Sequence, residues 1–203
     1  QGTMISHRTH PLRRLIRRFD AWLSRQYGVK VFTDDPQCIM RIQIRSVSHP
    51  LALPGGTIPR GAKALMLHMW NERAPLIPAA GPDLAWALDT HRRMVHSLRL
   101  IARYIQANPS LGDVQAVGGV TAHILLAGGD GGKAMLEHLG FTVMPYHRPL
   151  GAFGEFWENF YTWWLMWTFN PASTRRRSMF KLQRTEFWMS GRAFAEKYGQ
   201  PNH

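Results

Sequence analysis

The chain predicts an α/β fold: a mixed sheet flanked by helices, followed by an aromatic-rich, basic helical C-terminal extension. Three observations predict it. Period-two alternation dominates residues 29–70, a long run of helical period follows residue 82, and short apolar strands then alternate with a short helix up to residue 144. Beyond residue 150 the aromatic side chains crowd together. With 203 residues, 45% of them hydrophobic, the chain is long enough to bury a true core as one domain with appendages.

Over residues 10–26, Leu12, Leu15, Ile16, Phe19, Trp22 and Leu23 recur at helical spacing, while Arg13, Arg14, Arg17, Arg18 and Arg25 take the opposite side. Thr9 suits the cap, Pro11 the first turn and Gly28 the end. A short strand is expected over residues 29–33, a turn at Asp34-Asp35-Pro36, and a longer strand over residues 38–47. In that strand Cys38, Met40, Ile42 and Ile44 share one face, and Arg41, Gln43 and Arg45 the other. Turns at Pro54-Gly55-Gly56 and Pro59-Arg60-Gly61 lead into a third strand over residues 63–70, so the three read as an antiparallel meander. A proline-containing loop precedes a long helix over residues 82–107, with Leu84, Leu88, Val95, Leu98, Ile101 and Ile105 turned inward and Arg92, His96, Arg99 and Arg103 outward. Residues 114–117 read as a buried strand that Gly118 and Gly119 break; a helix over residues 132–139 passes through Gly140 to a strand over residues 141–144.

Residues 153–169 read FGEFWENFYTWWLMWTF, and Arg175, Arg176 and Arg177 follow. Trp157, Tyr161, Trp163, Trp164 and Trp167 belong to a broad aromatic stripe whose other side is polar. Trp and Tyr settle where an apolar medium meets water, and clustered Arg attracts anionic headgroups. The run is interrupted by Glu155, Glu158 and Asn159 and stopped by Pro171, short of the roughly 20 residues of a membrane span. The stripe suits an anionic membrane surface or lipid-like ligand, the seam of a homodimer, or the chain's own core. Lys plus Arg number 25 against 13 Asp plus Glu, a net +12, which also suits nucleic acid, but no nucleic-acid reading module is recognisable, and that partner ranks below the others.

Gln1, Gly2 and Thr3 precede Met4 and read as a remnant of expression cloning, which leaves residues 4–150 as the core and residues 151–203 as the extension. A lone cysteine, Cys38, excludes a disulfide framework and fits a cytoplasmic location, peripheral on the inner face of the membrane if the stripe meets lipid. Ten histidines lie scattered with no ligand spacing, so no metal is expected. The candidate catalytic residues are His68, Asn71 and Glu72 at the end of the third strand, where an imidazole or a desolvated carboxylate could take a proton from an attacking amine or hydroxyl.

The order helix, three strands, long helix, strand, short helix, strand resembles the core of the GNAT acyltransferase superfamily. The segment Lys133-Ala134-Met135-Leu136-Glu137-His138-Leu139-Gly140-Phe141 is similar to the stretch in which a short GNAT helix ends in Leu-Gly-Phe. At finer grain residues 12–150 resemble the bacterial YkoP-like domain family, on Gly56-Thr57, Arg60-Gly61, Leu67-His68-Met69-Trp70-Asn71-Glu72, Ser97-Leu98 and Ala116-Val117-Gly118-Gly119-Val120-Thr121. The GNAT resemblance implies an acyltransferase or acyltransferase-related protein with acyl-CoA or another acyl donor. The usual Gln/Arg-x-x-Gly-x-Gly/Ala pyrophosphate loop is absent: the position reads NERAPLIPAAGPDL, and Pro75, Pro78 and Pro82 remove backbone donors. Arg73, Arg92 and Arg93 are the cationic residues that could hold the donor instead. The alternative is a non-catalytic binding module of the same fold that docks a membrane or protein partner.

Overall fold

The computed structural model describes residues 28–70, 72–78, 80–122, 130–147 and 184–200. Alternating side chains build β1 (Met40–Ser46) and β4 (Lys63–Met69), which pair antiparallel with Met40 opposite Met69 and Ser46 opposite Lys63. Between them β2 (Leu51–Leu53) and β3 (Gly56–Ile58) form a small separate hairpin. Then follow α1 (Leu84–Ala107), β5 (Ala116–Ala122), α2 (Asp130–His138), β6 (Thr142–Pro145), β7 (Arg184–Ser190) and α3 (Gly191–Tyr198). The five-stranded sheet has the order β1-β4-β5-β7-β6, with β4 and β5 parallel and the other neighbours antiparallel. β4 and β5 pair only over Ala64, Leu65 and Met66 against Ala116, Val117 and Gly118, although β4 runs on to Met69 and β5 to Ala122. The ladder therefore ends three residues before the end of β4 and four before the end of β5, with Leu67 O still close to Gly119.

Each face of the sheet has its own apolar cluster. Ile42, Leu65, Leu67, Val117, Phe187 and Met189 pack with Met94, Leu98 and Ile101 of α1 and with Phe194 and Tyr198 of α3. On the other face Ala64, Ala116 and Trp188 pack beneath Val47, Leu51, Leu53 and Ile58, so the β2–β3 hairpin is a lid over that side. Burial of each large aliphatic side chain contributes about 1.5–3 kcal/mol, which is why the small hairpin stays attached. The Leu139-Gly140-Phe141 junction works as the sequence implies. Phe141 N–H donates to Leu136 O at 3.0 Å and Gly140 N–H to Glu137 O at 2.8 Å, the paired bonds of a Schellman cap, with Gly140 at φ +89° and Phe141 buried.

Several expectations need correction. Residues 29–33 supply one bridge, Lys30 to Ile42, rather than a strand. The chain is diverted there because Thr33 Oγ1 and Asp35 Oδ1 take the N–H groups of Asp35 and Gln37, drawing the backbone into a turn. Leu84 and Leu88 do not point inward: they are 75% and 61% exposed, because α1 is buried only from Thr90 onward. Ile44, expected on the buried face of its strand, is exposed near the end of β1, whereas Gln43 is buried.

Gly118 and Gly119 do not break their strand; they lie inside β5. Gly118 sits opposite Trp188 and Gly119 opposite Phe187. A Cβ on Gly118 would lie 2.6 Å from the Trp188 ring and overlap the Phe187 carbonyl oxygen, and one on Gly119 would lie 2.8 Å from Leu67 O and 3.3 Å from the Phe187 ring. The bare backbone is what lets the two aromatic rings of β7 come close on opposite faces. Residues 184–198, expected in a helical extension, are β7 and α3, and β7 is bonded along both edges. Thr185, Phe187 and Trp188 favour a pleated, half-buried surface, and Ser190 caps α3 by accepting from Ala193 N–H at 3.2 Å. Trp157, Tyr161, Trp163, Trp164, Trp167, Arg175, Arg176 and Arg177 lie outside the described residues.

Two outcomes follow from this packing. Gly118→Ala will lower stability by about 1–3 kcal/mol or more, read as a lower urea midpoint, because neither the strand backbone nor the Trp188 ring can withdraw. Tyr198 is buried, donates to Leu139 O at 2.7 Å, and burial pushes its hydroxyl up to about 12, with Arg99 pulling the other way. A hydroxyl whose folded value is raised stabilises the fold below its ordinary value of 10.0 and loses that contribution as pH climbs towards about 12. Absorbance at 295 nm will therefore show a late-ionising step for Tyr198, and Tyr198→Phe will delete it.

Candidate functional site

The end of the β4–β5 ladder carries most of the chemistry. Alternation along β4 sets Met66 and His68 on the hairpin-covered face, and Gln43 of β1, opposite Met66, shares it. His68 is half-buried and its Nε2–H donates to Gln43 Oε1 at 3.0 Å, while Gln43 is 5% exposed. Trp70 anchors the exit of β4 by donating its backbone N–H to Ile39 O at 2.7 Å. Its indole N–H donates to Glu72 Oε2 at 3.3 Å, and Glu72 is exposed rather than desolvated. Asn71 lies outside the described residues.

Arg73 lies over Trp70, with its guanidinium carbon 3.7 Å from a ring centroid, and donates to Asp35 O at 2.7 Å. Asp35 in turn faces α1: His96 Nε2–H donates to Asp35 Oδ2 at 2.8 Å, and Ser97 Oγ accepts from Ile39 N–H at 2.9 Å. The His96 hydrogen bond, with the Gln37 N–H, holds the Asp35 carboxyl below its usual range. These contacts tie the turn before β1, the loop after β4 and the middle of α1 together.

The other two expected donor-holding arginines are engaged with one carboxylate. Arg92 Nη2 lies 2.6 Å from Asp89 Oδ1 and Arg93 Nε 2.9 Å from Asp89 Oδ2, and that pairing holds the Asp89 carboxyl low. At the start of α1, Asp83 accepts from Trp86 N–H at 2.7 Å, so a carboxylate already satisfies the helix terminus. Trp86 Nε1–H bonds Pro75 O at 3.2 Å and closes the loop against the helix.

A second group, which the sequence reading missed, lies on the same face as His68. Val120 of β5 is opposite Glu186 of β7, two residues beyond the end of the β4–β5 ladder, as His68 is on β4. Glu186 is 4% exposed. Its Oε1 accepts from His147 N–H at 2.8 Å and its Oε2 from Trp188 Nε1–H at 2.8 Å, with His49 Nε2 3.5 Å from the latter oxygen. The His49 and His147 rings are 4.6 Å apart. The only sequence signal was the β-forming run around Glu186; nothing in the spacing of three distant residues joins His49, His147 and Glu186. Among the described residues no group of acidic, histidine and cysteine side chains has the arrangement of a metal site.

Because the Asp35 carboxyl is held low, its pairing with His96 stabilises the fold above the ordinary carboxylate value of 3.8 and is lost as pH falls through its lower folded value. Asp35→Asn will therefore melt earlier than the parent at pH 6, and the difference between the two melting curves by circular dichroism will shrink as pH falls below 3.8.

No helix among the described residues is long and apolar enough to cross a membrane. No curated protein and no solved structure matches the chain. The family model of the YkoP domain matches residues 11–198, which takes in the first basic stretch, the whole sheet and α3, and extends past the resemblance visible over residues 12–150. This protein belongs to the YkoP domain family.

Proposed function

We propose that this protein is a GNAT-like acyltransferase or acyltransferase-related protein, acting at a membrane surface on a lipid- or envelope-related substrate. One observation carries the reading: a single parallel pair, β4 and β5, central in a sheet of order β1-β4-β5-β7-β6, stops pairing after Met66 and Gly118. The end of a ladder between parallel central strands is a place where a ligand could meet strand backbone and the side chains that flank it. His68, held by Gln43, borders it on β4 and positions the attacking amine or hydroxyl. The membrane part of the reading rests on the aromatic stripe of residues 153–169 and on Arg175, Arg176 and Arg177.

The fit of an acyl-CoA is poor at the place where such a donor's pyrophosphate is expected. Asp83 puts a carboxylate on the first turn of α1, three prolines thin the backbone donors ahead of it, and Arg92 and Arg93 are paired with Asp89. This favours the second reading, a non-catalytic binding module of the same fold. If the donor is an acyl-CoA, Arg73 and other side chains hold it rather than a helix terminus.

Thermal shift separates the two. A ligand that binds the folded state at 100 times its Kd adds about 2.7 kcal/mol, so millimolar CoA or long-chain acyl-CoA will raise the melting temperature by several degrees if the transferase reading is right. No shift with any CoA species would sink it in favour of the module. Co-sedimentation with anionic vesicles at low salt is expected in either case, and its absence removes the membrane surface from the proposal.

A further inference from the structure

We propose that His49, backed by Glu186, is the proton acceptor of this protein and that its substrate is a hydroxyl or amine acylated on the hairpin-covered face of the sheet. The inference rests on the acyl-transfer reading above, and it assigns the base to neither His68 nor Glu72. Four observations on the same side of the molecule converge.

Glu186 is 4% exposed, yet it sits on β7 in the row just past the end of the β4–β5 ladder, where a carboxylate contributes nothing to an apolar core. Both its oxygens are fixed, by the His147 backbone N–H and the Trp188 indole, each at 2.8 Å. The imidazole of His49 keeps 23% of its side-chain surface exposed and presents Nε2 to Glu186 Oε2 at 3.5 Å. Its other nitrogen, Nδ1, lies 3.1 Å from Ser48 Oγ.

The proton placement follows from that geometry. Both Glu186 oxygens accept from N–H donors, so the carboxylate favours the His49 tautomer with hydrogen on Nε2, which leaves Nδ1, beside the Ser48 hydroxyl, as the acceptor. Ser48 is exposed, and its hydroxyl marks where a substrate O–H or N–H would sit. A buried carboxylate behind a solvent-reachable imidazole is the arrangement that makes a general base. In the step, the acceptor oxygen or nitrogen forms a bond to the acyl carbon and its proton moves to His49 Nδ1. The bond from the acyl carbon to the donor's leaving atom breaks, and that atom takes the proton back from His49. Glu186 exchanges no bond in the step and is a positioning residue. Besides Glu186, the titratable group shown against His49 is His147, whose ring is 4.6 Å away, and Arg184 stands two positions before Glu186 on β7, with its guanidinium 5.9 Å from the Tyr146 ring.

The test uses the full chain with p-nitrophenyl acetate as donor and ethanolamine as acceptor, following p-nitrophenolate release and acetylated ethanolamine from pH 5 to 8. The parent is expected to exceed buffer at least tenfold. His49→Ala should remove most of that excess, the near-isosteric Glu186→Gln should lower it several-fold, and His91→Ala on α1 should change nothing. Site-resolved carbethoxylation gives a readout independent of turnover: His49 should react faster than His91, and several-fold slower in Glu186→Gln. A His49→Ala chain with the parent's rate, or a parent no faster than buffer, overturns the proposal. Loss of rate accompanied by a collapsed melting curve is resolved by the carbethoxylation ratio in the folded Glu186→Gln chain, where an unchanged ratio also overturns it. Failure of CoA to shift the melting temperature sinks the CoA-dependent transferase reading, whereas the carbethoxylation ratio reports the Glu186–His49 pairing whichever way that experiment falls.

Discussion

The whole sheet depends on one close approach, the two glycines of β5 beneath the two aromatic rings of β7. Gly118 and Gly119 lie opposite Trp188 and Phe187, and those rings go to opposite faces, Trp188 under the hairpin and Phe187 against α1. A side chain at either glycine would meet backbone oxygen as well as ring. β7 can therefore sit between β5 and β6 only because β5 offers no Cβ at those two steps. Since β7 also leads directly into α3, whose Phe194 and Tyr198 close the helical side, this contact couples both layers.

The same constraint fixes where chemistry can occur. With β7 held flush against β5, the next residue pair along is Val120 and Glu186, and the row beyond Gly118 is where β4 stops pairing with β5. Polar side chains collect at that end: His68 with Gln43 on one side of it and Glu186 with His49 and His147 on the other. On the α1 side, the turn at Asp35, the Arg73 guanidinium and His96 brace the loop after β4. The apolar clusters supply the stability there, and the hydrogen bonds supply position, each contributing on the order of 1 kcal/mol net.

Much of the described part of the chain up to residue 145 was legible. The alternation of β1 and β4, the helical period of α1 and the Leu139-Gly140-Phe141 stop are local patterns, and local patterns are what periodicity reports. The errors share a cause, since each is a decision made by a distant residue. Leu84 and Leu88 match the apolar period of α1, but the surface they would need does not extend to them. Gly118 and Gly119 look like breakers until Trp188 and Phe187, about 70 residues further along the chain, are seen to occupy their faces. His68 and Glu72 were visible as chemistry-bearing types beside a strand end; His49, His147 and Glu186 were not, because three turns of chain separated in sequence carry no common spacing.

By itself the sequence determined the class of fold, the strong basic balance, the elements β1, β4 and α1 with the α2–β6 junction, and the kinship with the YkoP domain, because these reside in composition, period and short motifs. Only the tertiary structure decided that residues 184–198 belong to the sheet and its helical layer, that β5 runs through its glycines, and that a buried carboxylate meets an exposed imidazole across the hairpin-covered face. The physical reason is that strand insertion and side-chain juxtaposition are set by complementary surfaces far apart along the chain, and a local pattern contains only one of the two surfaces.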